Sequence, residues 1–430
     1  MSAISKNYER DPGPPPRPRR WGAAVSGIAL AGLLAVVAYE ARLVPRLQNR
    51  LAPGLHLWTT AEAAAVAAVR RETRSQLLAA RPVPRFGSRP GLRLEEALAL
   101  GRQPPPVNTW ANACLAAGVL AGWEVTGDEA DRTALRRFAD RVVGLDGGFV
   151  EPLTGVEQAM VGPVLLALAN GPDGGKYRAA AGRLADFLLK ELRRTSTGTL
   201  PYGAGRPDVC LVDTLAMACP FLAAAGTKLA RPEASELAVR QLLEFGERAT
   251  DPATGLPWHA YTAGGGAPYG LCGWTRGAGW MAVGLAETLV ALPPHHPDRA
   301  RLVALLDRLA GTTVSAQDQD GTWRWCLTIP EGETDTSGTA LLAWAFERGV
   351  QIGVLPPERR VNARLAVDGV IRRTDDYGVV GGALGECQAV GQHPRVYGAY
   401  PWAQGPLTVA VVWTSPALEG KRTPATGTTP

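Results

Sequence analysis

The sequence predicts an all-α fold, an (α/α)6 barrel in which a ring of inner helices is wrapped by an outer ring. Three observations predict it. Glycine–aromatic turns recur at Gly147, Gly198, Gly255, Gly321 and Tyr377, roughly 50 to 65 residues apart, the period of a two-helix repeat. Each interval holds one segment apolar on nearly every side, such as GWMAVGLAETLVAL, and one with its charges on a single face, such as RARLVALLDRLAG. A helix apolar all round must be covered on both sides, whereas an amphipathic one can face water, so the two kinds read as inner and outer rings. Alternating strand patterns are nearly absent.

In chain order, residues 1–20 are polar, Pro-rich and end in Arg17, Arg19 and Arg20, which predicts a disordered basic terminus. Residues 21–39 carry no charge and approach the length of a bilayer core, which predicts a transmembrane or signal-anchor helix. Val36-Val37-Ala38 would also serve as a signal-peptide cleavage site. The expected location is therefore a membrane-anchored chain with its barrel exported. Residues 40–106 read as a stem helix (about Thr59 to Ala79) and a loop-rich linker. Residues 107–415 contain the barrel, and 416–430, rich in Thr, Pro and Gly, read as a disordered tail. From Thr109 the text holds five helix pairs and a lone inner-type helix at Gly405 to Thr414. The stem helix is the candidate for its missing outer partner.

Composition narrows the function. The net charge of +5 is concentrated near the N-terminus, and no basic stripe interleaved with aromatics follows, so a nucleic acid is not an expected partner. The six cysteines include no Cys-x-x-Cys pair; neither a zinc site nor any other cofactor is expected, and most of the thiols read as buried in apolar helices. Oligomeric state is not encoded legibly.

If every inner helix starts after a Gly–aromatic loop, the starts converge on one mouth of the toroid. They bring Asn108, Trp110, Glu157, Gln158, Asp213, Trp274, Arg276, Thr336, Ser337, Trp402 and Gln404, with Trp280 following in GWTRGAGW. The loops add Tyr202, Trp258, His259, Tyr261, Trp323 and Trp325. Carboxylates, an arginine, a histidine and many indoles around a cavity suit a carbohydrate, since aromatic faces pack on sugar rings and guanidinium pairs with carboxylate. Asp213, heading the apolar stretch DTLAMACPFL, has two readings: an N-cap, or an acid whose pKa is raised in a low-dielectric pocket. Each other residue also has a structural reading, core packing for the tryptophans and dipole complementarity for Glu157.

The segments GWTRGAGWMAVGLAETLVALP, DGTWRWCL, TDTSGTALLAWAFERGVQIG and VDTLAMACPFLA resemble the unsaturated uronyl hydrolases of glycoside hydrolase families 105 and 88 over roughly Thr109 to Val412. The resemblance implies an (α/α)6 barrel and removal of a terminal 4,5-unsaturated uronic acid from a small oligosaccharide. It implies Asp213 as general acid/base, Glu157 as the second family acid, and His259 and Arg276 beside the substrate. Trp258, Trp274, Trp280, Thr336, Ser337 and Trp402 complete the expected substrate site. The sequence departs from the family pattern at Glu157 (usually aspartate), Leu211 (commonly tryptophan), Ala278 (asparagine) and the Trp402-Ala403-Gln404 stretch (an Asp-His pair). Two other functions fit the same text, a tethered glycan-binding protein without turnover and an ordinary glycosidase using two acids.

Overall fold

The computed structural model describes residues 63–79 and 107–421 except 172 and 204. The basic terminus, the expected anchor at residues 21–39, the linker after Ala79 and residues 422–430 lie outside the described residues, and no described helix is long and apolar enough to cross a membrane. Outer helix α1 (Ala63–Ala79) precedes five inner–outer pairs. These are α2 (Trp110–Thr126) with α3 (Glu129–Val142), α4 (Gly162–Leu168) with α5 (Gly174–Asp186), and α6 (Asp213–Lys228) with α7 (Pro232–Arg248). The remaining two are α8 (Thr275–Ala291) with α9 (Arg299–Ser315) and α10 (Thr336–Gln351) with α11 (Arg359–Ile371). Inner helix α12 (Pro401–Thr414) comes last, starting four residues before the expected Gly405.

The inner helices touch in the order α2, α4, α6, α8, α10, α12 and back to α2, a closed ring. Small residues let them approach. A Cβ built on Gly405 of α12 would lie 1.9 Å from the Cys114 carbonyl oxygen of α2, and one on Gly284 of α8 2.6 Å from the Leu215 backbone of α6. Only glycine fits such contacts, which is why the apolar helices are rich in it.

The stem helix is a stave of the barrel. Val66, Val69 and Leu77 of α1 are buried, Thr73 Oγ1 lies 2.6 Å from Thr408 Oγ1 of α12, and Gln404 Nε2 donates to Thr73. On its other flank Arg70 and Arg74 pair at 2.5 and 2.8 Å with Asp131 of α3, whose side chain is 2% exposed. The stem helix is thus the outer partner that the sequence nominated, packed against α2 and α12. Residues 416–421, expected in the tail, form a 3-10 turn, Pro416–Lys421, with Leu418 buried.

Two short antiparallel ladders stand in the loops before inner helices. β1 (Val209–Leu211) pairs with β2 (Ala260–Thr262) in the register Leu211↔Ala260, and β3 (Ala383–Leu384) with β4 (Tyr397–Gly398). The six cysteines are free, and only Cys114 and Cys219 lie in helices; Cys210 is on β1 and the other three on loops, a correction to the helical placement.

Candidate active site

The inner-helix starts and their loops enclose a cavity of about 420 Å³. Asp213, Met217 and Leu211 line it together with Trp110, Tyr202, His259, Trp274, Arg276 and the Glu386–Val390 loop.

Asp213 is the first residue of α6 and makes no capping bond; the preceding Val212 already has helical backbone angles. The N-cap reading is thereby overturned, and the side chain is left to face the cavity. It is 16% exposed, and its Oδ2 is buried without a hydrogen-bond partner. Burial raises its pKa to about 6, against the lowering effect of the Arg276 charge and its own backbone N–H.

The β1–β2 ladder positions the neighbour. Val212 N–H donates to the His259 carbonyl, which holds His259 opposite Asp213 with Nε2 at 3.7 Å from Oδ2. That separation is beyond hydrogen-bond length. Burial, helped by Arg276, lowers the His259 pKa to about 4, so the pair is uncharged between about pH 4 and 6 and is no salt bridge there. Gly391 N–H points at His259 Nδ1 at 3.4 Å, which assigns the ring proton to Nε2, toward the acid. Trp274 packs against the imidazole with centroids 4.9 Å apart.

Arg276 is 2% exposed and already engaged by the protein. Its Nη1 donates to the Leu384 carbonyl at 2.8 Å and to Ser337 Oγ at 3.3 Å, and Nη2 donates to the Gly385 carbonyl at 2.9 Å. It lies over Trp274 at 4.7 Å and Trp402 at 5.7 Å. The expected carboxylate clamp is instead mainly a brace that seats the β3–β4 loop and projects positive charge toward Asp213 and His259.

Several expected substrate residues support the wall without lining it. Ser337 Oγ donates to Asp335, the N-cap of α10, while Thr336 bonds the Gly381 carbonyl; both side chains are fully buried. Trp402 stacks on Tyr400 at 4.5 Å and donates to the Leu384 carbonyl. Trp280 packs edge-on beneath Trp110 at 6.3 Å. Trp258 is not a lining residue, whereas its neighbour His259 is. Glu157 also stands back: Tyr202 lines the cavity and donates to Glu157 Oε2 at 3.3 Å. Tyr261, Trp323 and Gln404 bond Glu244, the Thr313 carbonyl and Thr73, respectively, all in the scaffold.

Cys387 and His393 were not legible as site residues in the sequence. His393 sits 4.7 Å from the Trp274 ring and 5.3 Å from His259. No local pattern marks them, since they reach His259 across more than 120 positions of chain.

A helical toroid whose mouth holds an unpaired buried acid, an imidazole and stacked indoles defines an (α/α)6 hydrolase of the carbohydrate-active class. Residues 94–412 match the model of Glycosyl Hydrolase Family 88, and the chain belongs to that family. It is 26% identical over 244 residues to the unsaturated rhamnogalacturonyl hydrolase YesR of Bacillus subtilis, covering 55% of this chain and 69% of that one. The fold is similar to a possible GH105 member from Klebsiella pneumoniae (TM-score 0.70, 20% identity, 82% of this chain and 93% of the other). It is also similar to an unsaturated glucuronyl hydrolase from Bacillus sp. GL1 (TM-score 0.60, 15% identity, 84% and 98%).

Proposed function

We propose that the chain hydrolyses terminal 4,5-unsaturated uronyl oligosaccharides, with Asp213 as general acid and then base. The observation that carries this is Asp213 itself, a carboxyl group buried at a cavity wall with Oδ2 unpartnered and its pKa raised to about 6. Such a group holds a proton for a substrate carbon and can take one back from water. In the proposed reaction Asp213 protonates C4 of the C4=C5 bond, water adds at C5 and returns a proton to the carboxylate, and the resulting hemiketal opens to release the sugar. Trp110, Tyr202 and Trp274 supply the aromatic faces, and family membership supports the substrate class. Incubation with unsaturated disaccharides from pectin and glycosaminoglycan lyases tests this. Ultraviolet absorbance of the double bond should fall for at least one of them, and no loss across the panel overturns the proposal.

Leu211, on the cavity wall where the family commonly has tryptophan, favours a second reading, glycan binding without turnover. Binding to the same panel with unchanged absorbance would select it. A two-acid glycosidase is disfavoured because Glu157 is not among the residues lining the cavity and its carboxylate is engaged by Tyr202.

The pKa of Asp213 sets the expected pH profile. The groups facing it are His259, Arg276, Tyr202 and Cys387. Burial and the charges of Asp213 and Glu157 raise the Tyr202 phenol, and burial pushes the Cys387 thiol up to about 12, so neither ionises near neutrality. Because protonated Asp213 is the active form, kcat/KM in buffers free of divalent metal should fall tenfold per unit above about pH 6. A profile rising through pH 7 contradicts the assignment.

We also propose that residues 21–39 anchor the chain in a membrane with the barrel exported, supported by the uncharged run alone. Full-length protein should stay with the membrane fraction after an alkaline carbonate wash, and its release would sink this proposal.

A further inference from the structure

The loop between β3 and β4 carries chemistry that the hydration reaction does not use. Cys387 and His393, six residues apart on that loop, meet His259, and their Sγ and ring nitrogens lie within 4.8 Å of one another. Cys387 Sγ is 4.0 Å from His259 Nδ1, the nitrogen turned away from Asp213. Trp274 and Trp325 shield the group, with ring centroids 4.7 and 6.1 Å from that of His393. Both nitrogens of His393 are buried and have no hydrogen-bond partner. A buried imidazole left unpaired on both sides has lost its hydration without recompense, unless a ligand restores it. Besides the His259 ring, the thiol meets the carbonyls of Ala389 and Gln392, at 2.8 and 3.2 Å.

We propose that Cys387 Sγ, a nitrogen of His393 and His259 Nδ1 form a binding site for one thiophilic divalent cation of the zinc class, with its fourth position open to the cavity. The donor set decides the class: one sulfur and two imidazoles suit zinc or cobalt, whereas magnesium and calcium require oxygen ligands. Loading breaks the Cys387 S–H bond, replaces the long Gly391 N–H contact at His259 Nδ1 with a nitrogen–metal bond, forms a sulfur–metal bond and releases one proton to solvent. The cation would tie the β3–β4 loop to His259 and leave Nε2–H directed at Asp213. The absence of a Cys-x-x-Cys pair concealed the site, because two of its ligands sit on one loop and the third reaches them through the fold.

The test is independent of the hydrolase assignment. Full-length protein is titrated with Co2+ at neutral pH. The expected result is one equivalent bound, with thiolate-to-cobalt charge-transfer absorption in the near ultraviolet that Zn2+ abolishes. Cys387→Ser should lose that band, and His393→Ala should weaken Co2+ binding by about 10-fold or more. Calorimetry of the unmodified protein in buffers of different ionisation enthalpy should show about one proton released per Zn2+, a readout that needs no variant to fold. Lack of the band, its persistence in a folded Cys387→Ser, or Zn2+ binding without proton release overturns the proposal.

Discussion

Asp213→Asn should cut turnover of an unsaturated uronyl disaccharide by about 10³-fold, the scale of a lost general acid/base, while its melting temperature at pH 7 holds or rises. The carboxyl is buried with one oxygen unpartnered and a pKa near 6. An acid whose pKa is higher in the folded than in the unfolded chain keeps its proton longer when folded. Stability is therefore lost as pH climbs from the unfolded value near 4 to about 6, by about 1.4 kcal/mol for each pH unit between the two, and stays lost above that range. Asparagine cannot ionise and escapes that cost at pH 7. Calorimetric melts beside the absorbance assay distinguish the two effects. A variant that loses activity only by unfolding, or that retains full activity, refutes the catalytic role.

The second large effect is expected at Arg276. Arg276→Met should lower stability by roughly 3 kcal/mol or more, since it strands buried acceptors that the guanidinium now satisfies. Those acceptors are the Leu384 and Gly385 carbonyls and the Ser337 hydroxyl. The same substitution removes the positive charge that holds the Asp213 pKa down, so any residual activity should extend to higher pH. Arg276→Lys should rescue poorly, because one ammonium cannot span acceptors served by two guanidinium nitrogens. Denaturant melts and the pH profile together check this; stability equal to that of the unmodified chain would show that the brace contributes nothing.

The architecture was legible because its signals are local. Gly–aromatic turns and the contrast between GWMAVGLAETLVAL and RARLVALLDRLAG are readable within a single repeat, and they led to the ring that the inner helices form. The meeting of Asp213, His259, Trp274 and Arg276 followed from placing every inner-helix start at one mouth. What stayed hidden depends on partners far along the chain. Arg276 looked free for a substrate carboxylate because the carbonyls that occupy it lie more than 100 positions away. Glu157 reads as a second catalytic acid in the sequence, which cannot show that its carboxylate accepts from Tyr202 of the cavity lining, 45 positions on. Asp213 looked like a cap because helix boundaries drawn from sequence cannot separate the residue before a first turn from the residue that begins it.

The contact between Thr73 and Thr408 joins positions 335 apart, so the wall of the barrel is shut by a helix borrowed from the far side of the chain. Entropy makes that borrowing cheap: each doubling of a flexible connection adds only about 0.6 kcal/mol to the cost of closing it. The expense falls on time instead of stability, because contacts so remote in sequence form slowly. Pairs of neighbouring helices can assemble on local information, but the circumference is complete only once this seam joins.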